Sequence, residues 1–400
     1  MSATNGHVLG DVASFVRGIT FTPEDLKPPF EEGTAVCMRT KNVQVDLDEK
    51  DLIAVPKEFV RRKEQYLAEG DLLVSSANSW NLVGKCCWVP KLDYEATAGG
   101  FISILRADRK KVDPRYLYHW FAAPQTQHEV RLCGRQTTNI SNLNYERCLN
   151  LPVPLPKLDE QKRIAAILDK ADAIRRNRQE GASLSQSLRR AVFCDFFGDL
   201  KSNPNRWATK TLGDICHGRL RNGVSPSSAG KYVGSVLVLS AITGDRFDAS
   251  CVKEGTFASP FTETQLVNEN DFLICRGNGN VELVARAAFP TAAIEHCVFP
   301  DTMIAATVDT NVIEKEYLEE VWRTAFVRQQ VESGARTTNG THKVNQGVLE
   351  KVAFPIPPLS LQKKFAAISR NCETVREKFS DHVDSDLFNA LVQRAFKGEL

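Results

Sequence analysis

Two pairs of polar loops hold the side chains best suited to chemistry. In the first half of the chain they are Asn78, Ser79, Asn81 and Lys85, then Arg135, Gln136, Thr138 and Asn139. In the second half they are Arg276, Asn278 and Asn280, then Arg336, Thr338, Asn339 and Lys343. Arg219, Arg221 and Asn222 form a basic loop early in the second half, where the first half has Arg17. Arginine can grip guanine bidentately, asparagine or glutamine can grip adenine, and lysine, serine, threonine and backbone amides hold phosphates. The loops are therefore candidate DNA-binding surfaces. Any one of these residues alone also fits an ordinary surface loop. Thr138-Asn139 and Thr338-Asn339 equally suit turns, since both side chains bond their own backbone. What favours recognition is the recurrence of the set at matching positions.

Catalytic patterns are missing. The sequence contains no G-x-x-x-x-G-K-[ST] phosphate loop, no H-E-x-x-H and no G-x-S-x-G. Gly277-Asn278-Gly279 lacks the third glycine of a dinucleotide fingerprint. Asn203-Pro204-Asn205-Arg206 lacks the second proline and the aromatic of an adenine-methyltransferase box. Asp48-Glu49-Lys50 has no upstream Pro-Asp partner and reads as a solvated charge run. The 11 cysteines form no C-x-x-C pair, and the seven histidines do not stand at zinc spacing beside them. Adjacent Cys86-Cys87 reads as part of a buried strand, where a free cysteine packs as a small apolar group. No catalytic residue and no metal ligand is expected.

Composition narrows the class. The 400 residues are 42% hydrophobic and 25% charged, as in a soluble globular protein of two or three domains. No apolar run approaches the roughly 20 residues that span a bilayer. The N-terminus lacks the regions of a signal peptide, so a cytoplasmic protein is expected. A net charge of +2 means that any phosphate-binding surface must be a local patch.

The elements that must position the loops come twice. Pro154-Leu155-Pro156-Lys157-Leu158-Asp159-Glu160-Gln161-Lys162-Arg163-Ile164-Ala165-Ala166-Ile167 recurs at Pro355 to Ile368, with eight of 14 positions identical at an offset of 201. Leu9-Gly10-Asp11 matches Leu212-Gly213-Asp214, Gly70-Asp71 matches Asn270-Asp271, and Tyr116-Leu117 matches Tyr317-Leu318. The chain is a duplicated module, a domain followed by a helix. Each copy of the motif breaks the preceding structure with prolines and opens a long helical pattern, with Asp159 and Ser360 as candidate N-caps. Apolar residues at Ile164, Ile167, Ala171 and Ile174, and at Phe365, Ile368, Cys372, Val375 and Phe379, form a coiled-coil-like helix-pairing seam. Gly198 and Gly398 are expected to stop the helices. About 38 residues of helix would extend about 57 Å. Two such helices most simply pair antiparallel. Helical linkers or a homodimerising coiled coil fit the periodicity as well; the duplicated globular segments favour an intramolecular spacer.

The whole chain resembles the specificity (S) subunits of type I restriction–modification systems. The Pro-x-Pro-x-Leu-x-x-Gln-Lys-[Arg/Lys] motif at 154–163 and 355–364 carries the resemblance, supported by the Leu-Gly-Asp openings and by the helix ends at Phe196-Phe197-Gly198-Asp199 and Ala395 to Leu400. It implies an α+β fold of two target-recognition domains alternating with two long conserved helices, paired as an antiparallel coiled coil in an internal pseudo-twofold repeat. The boundaries would be 1–156 and 205–356 for the domains, and 157–204 and 357–400 for the helices. The resemblance also implies a non-catalytic subunit that reads a bipartite, asymmetric double-stranded DNA target. Two methyltransferase (M) subunits carrying S-adenosylmethionine would dock on the helices, and restriction (R) subunits using ATP and Mg would join them. The other reading of the duplication is a non-catalytic adaptor that holds two identical protein partners without reading DNA.

Overall fold

The structure is a computed structural model describing residues 6–136, 140–291, 294–338, 341–379 and 383–400. The chain divides into two compact units, residues 1–178 with 381–400, and residues 179–380. Each unit holds one globular segment and parts of both long helical regions, so the last 20 residues belong with the first globular segment.

In the first unit, short strands, the central two of them carrying continuously buried runs, build an antiparallel sheet in the order Ala13–Arg17, Ile102–Ala107, Leu72–Ser75, Cys86–Trp88. A second sheet orders Ala54–Pro56, Thr34–Met38, Ala96–Ala98. Helix Pro114–Ala122 starts as its residues demand. Asp113 caps it by accepting the Arg115 and Tyr116 N–H groups, and Pro114 takes the first helical position, where no N–H is needed. Its Tyr116 and Leu117 are buried with Ile164, Ala165 and Leu168 of the long helix Leu158–Phe197, and with Val392 and Ala395 of helix Val383–Lys397. The two helical stretches run antiparallel: Arg163 donates to the Leu400 carbonyl at 2.9 Å, and the Arg175 guanidinium lies 5.4 Å from the Phe388 ring.

The second unit repeats the plan. Its four-stranded sheet orders Arg221–Asn222, Met303–Thr307, Asp271–Cys275, Ala287–Ala288. A second sheet orders Val252–Phe257, Tyr232–Leu237, Cys297–Val298. The far part of the long helix packs antiparallel on helix Leu359–Phe379. Ser185 donates to the Cys372 carbonyl at 2.7 Å, and Phe193 and Phe197 meet the Phe365 ring edge-on at 5.5 and 5.4 Å. A Cβ at Gly181 would stand 3.2 Å from the Phe379 ring, so the missing side chain lets the helices close there. Gly198 and Gly398 both take positive φ at the helix ends, as the stops require.

Two details depart from the sequence reading. The helices begin at Leu158 and Leu359, with Gln161 and Gln362 N–H groups already bonded to the Lys157 and Pro358 carbonyls. Asp159 and Ser360 therefore lie inside the first turn rather than at the cap. The buried line is also shifted. Ile164, Phe365 and Cys372 are buried, Ile167, Ala171 and Ile368 are half-buried, and Ile174 is 57% exposed, as are Val375 and Phe379 to a lesser degree. The line instead passes through Gln161, Leu168 and Asp172, and through Gln362, Ala366 and Ser369. Asp172 can be buried because Arg175 and Arg176 both hydrogen-bond its carboxylate at 2.6 Å.

Candidate nucleic-acid interface

Each unit folds its two polar loops into one small sheet. In the first unit Ser141–Leu143 pairs with Ala77–Asn78 on one side and Gly134–Gln136 on the other. In the second unit Thr341–Lys343 pairs with Gly277–Asn278 and Arg336–Thr338. Residues directly opposite each other share a face of a sheet. One row in the first unit is Ala77, Asn142, Arg135; the matching row in the second is Gly277, Lys343, Arg336. Arg135, Asn142 and Lys343 are exposed. A Cβ at Gly277 would stand 2.9 Å from the Lys343 side chain, so the glycine leaves that lysine room to lie across the strand. The neighbouring row, Asn78, Ser141, Gln136, includes Ser141, which is 1% exposed and marks the inward face.

The sequence-predicted residues thus sort themselves. Arg135, Gln136, Arg336, Thr338, Lys343, Asn78 and Asn278 are brought onto these sheets. Asn78 and Asn278 hold turns: their side-chain carbonyls accept the Ser79 and Asn280 N–H groups at 2.8 and 2.9 Å. Asn280 caps a short helical turn through Glu282 N–H. Lys85 is half-buried and donates to Gln44 at 2.6 Å. Arg276 is held at the Asp301 carbonyl, 3.3 Å away, while Ser79 and Asn81 are exposed beside Trp80. Arg17 and Asn222 lie on edge strands of the larger sheets, and Arg219 precedes the latter strand. The Arg17 guanidinium covers the Tyr145 ring at 5.3 Å. Thr138, Asn139 and Asn339 fall outside the described residues.

Arg221 has an internal task. Its guanidinium pairs with Asp271, which is fully buried and also accepts the Thr307 hydroxyl at 2.7 Å. A buried carboxylate needs such a partner, since an isolated charge in the interior is strongly destabilising. In the first unit Asp71 is equally buried, but Arg106 of the neighbouring strand grips it bidentately at 2.7 and 2.6 Å.

Asn142 is the residue that loop-by-loop reading missed; its signal is visible only once the strand Ser141–Leu143 is paired. Gln161 and Gln362 were also overlooked as joints. Gln161 accepts the Asp113 N–H at 2.8 Å and donates to the carbonyls of Pro156 at 2.8 Å and Lys111 at 3.3 Å. Gln362 does the same with Glu314, Pro357 and Val312 at 3.0, 2.8 and 3.4 Å. Tyr116 and Tyr317 add bonds to the Pro154 and Pro355 carbonyls at 2.9 and 2.8 Å. The duplicated motif thus locks each helix start to the globular segment that precedes it.

Among the described residues no group of three or more His, Cys, Asp or Glu side chains could hold a metal ion, and no helix is long and apolar enough to cross a membrane. Burial pushes the Cys37, Cys87 and Cys148 thiols up to about 12, so they remain protonated and serve packing.

Comparison with known proteins bears on the same geometry. Residues 8–185 match the family described as type I restriction modification DNA specificity domain. The chain is 23% identical to the type I restriction enzyme StySPI specificity subunit of Salmonella potsdam, over 97% of this chain and 87% of that protein. It is likewise 23% identical to the EcoKI specificity subunit of Escherichia coli K12, over 97% and 87%. The fold is similar to that of the S subunit of a type I system from M. genitalium, with a TM-score of 0.61 at 14% identity, covering 99% of this chain and 98% of that one. The duplicated plan and the helices paired within each unit agree with these similarities, which reach over 97% of the chain: it is similar to type I restriction–modification specificity subunits.

Proposed function

We propose that each small sheet reads one half of a bipartite, asymmetric DNA target through the major groove. The observation that carries this reading is the matched row, Ala77, Asn142, Arg135 in one unit and Gly277, Lys343, Arg336 in the other, in which Arg135, Asn142 and Lys343 are exposed. The architecture and the arginine are common to both rows, while Asn142 stands where the other row has Lys343, as two heads reading unlike half-sites require. A two- or three-stranded ribbon fits the major groove, where each base pair shows a distinct donor and acceptor pattern.

In this reading residues 1–156 and 205–356 are the target-recognition domains, and 157–204 and 357–400 are the spacer helices. The helices carry apolar side chains that their own unit leaves exposed: Ile174 and Leu387 in the first, Leu184, Leu188 and Val375 in the second. These support docking of two M subunits, which bring S-adenosylmethionine and methylate adenine. R subunits with ATP and Mg join the assembly in the cytoplasm. The chain itself contributes recognition and scaffolding.

The test is to assemble the chain with its M subunits and map adenine methylation on DNA. The expected result is a split, asymmetric sequence with a fixed gap. Inserting a few residues between Ala171 and Gln179 should change the gap and leave both half-sites intact. Binding without sequence preference across a range of salt would overturn the reading.

A further inference from the structure

The first reading row does not end at Ala77. Ala77 N–H donates to the Phe101 carbonyl at 3.3 Å, and Ser76 N–H donates to the same oxygen at 2.9 Å. Phe101 therefore sits at the outer edge of the small sheet, on the side away from Arg135. The turn that presents it is closed by Ile102 N–H on the Gly99 carbonyl at 2.9 Å. Despite these fixed backbone bonds, the Phe101 side chain is 66% exposed. The second unit builds the corresponding turn with other residues. Arg276 N–H donates to the Thr302 carbonyl at 2.8 Å, and Met303 N–H closes the turn on Pro300 at 2.9 Å. Thr302 is exposed as well.

We propose that Phe101 is a sequence-reading residue of the first head, and that it selects a thymine through its C5-methyl group. This rests on the proposal that the small sheet faces DNA. A phenyl ring has no hydrogen-bonding atom, so in the major groove it can discriminate only through apolar contact. The thymine methyl is the one apolar feature that a base pair presents there. The small Ala77 between Phe101 and Asn142 leaves the ring free to approach a base edge next to those read by Asn142 and Arg135. Thr302 gives the second head a methyl group and a hydroxyl at the corresponding place, so the two heads differ there in what they accept.

The experiment uses the assembled complex with M subunits and duplexes in which each thymine of the mapped target is replaced singly by uracil, which removes only the methyl group. The wild-type complex should lose about fourfold in affinity at one position of the first half-site, the equivalent of about 0.8 kcal/mol for one buried methyl-sized group. Phe101→Ala should abolish that uracil effect and accept other base pairs at that position, while the second half-site stays unchanged. Phe101→Leu, which keeps an apolar tip, should retain part of the preference. A specific Phe101→Ala complex with unchanged base preference and uracil sensitivity would overturn the proposal, as would a first half-site with no uracil-sensitive thymine. A wild-type complex with no sequence preference would instead overturn the underlying reading of the sheets.

Discussion

The side-chain carbonyl of Gln161 accepts the N–H of Asp113 at 2.8 Å, joining the start of the long helix to the start of helix Pro114–Ala122. Gln161 is 1% exposed, and its amide donates to two further backbone carbonyls. Replacing it by alanine leaves one buried donor and two acceptors without their partner. The expected cost is about 2–3 kcal/mol, read as a fall of roughly 4–12 °C in the melting of that unit. Gln362→Ala should cost as much in the other unit. Gln161→Glu keeps the acceptor for Asp113 but loses the donors, so it should be no better than alanine at neutral pH. Unchanged melting in all three variants would remove the joint from the account.

The two buried aspartates make a sharper test. Arg106 and Thr307 stand at the same register position, directly opposite the aspartate position of the neighbouring strand. Arg221 occupies, opposite Ala305, the place that Val16 holds opposite Ile104. The counter-charge has thus moved one strand across between the units while the aspartate stayed. Arg106→Thr should destabilise the first unit by about 3–5 kcal/mol, the cost of leaving a buried charge unpaired. Adding Val16→Arg should restore much of that loss, measured by denaturant titration. Arg221→Ala should lower stability in the second unit without selectively relaxing one base position.

How much of this was legible follows from the range of each interaction. The prolines, the glycine stops and the Asp113 cap act within a few residues, and the duplicated motif marked both helix starts to within two residues. The apolar 3-4 spacing located the helices but not their buried line, because a search for apolar residues passes over Gln161 and Asp172. Gln161 is buried because of partners at Asp113 and Lys111 that sequence spacing does not reveal, and Asp172 because of Arg175 and Arg176, one helical turn on, which a search for apolar residues ignores. Asn142 was invisible for a related reason. Its importance depends on Ser141–Leu143 pairing with Ala77–Asn78, some 60 residues away. Arg221 looked like a reading residue because a buried carboxylate 50 residues distant cannot be seen from its own loop.

Acid should loosen the contact between the first globular segment and its helix. Burial acts to raise the Asp169 carboxyl, but the hydrogen bonds from His119 at 2.7 Å and Arg115 at 2.6 Å outweigh it and hold the group below its ordinary range. A carboxyl depressed in the folded state stabilises above its unfolded value of about 3.9. That contribution disappears as pH falls through the folded value. Asp169→Asn should therefore be less stable at neutral pH and lose stability less steeply below about pH 4. Parallel acid curves for the two proteins would rule this out.

The reading rows predict which substitutions act on which half-site. Arg135→Ala and Asn142→Ala should each weaken or relax one base position in the first half-site only. Arg336→Ala and Lys343→Ala should do so in the second only. A lost bidentate base contact costs about 1–3 kcal/mol, roughly a 5- to 150-fold loss of discrimination. Asn78→Ala should have a smaller effect on reading, because its side chain is spent on Ser79 N–H at 2.8 Å and on the Ser75 hydroxyl at 3.1 Å. Methylation mapping over randomised half-sites gives all five answers in one measurement. Equal losses in both half-sites from any one substitution would mean that the two sheets do not read independently.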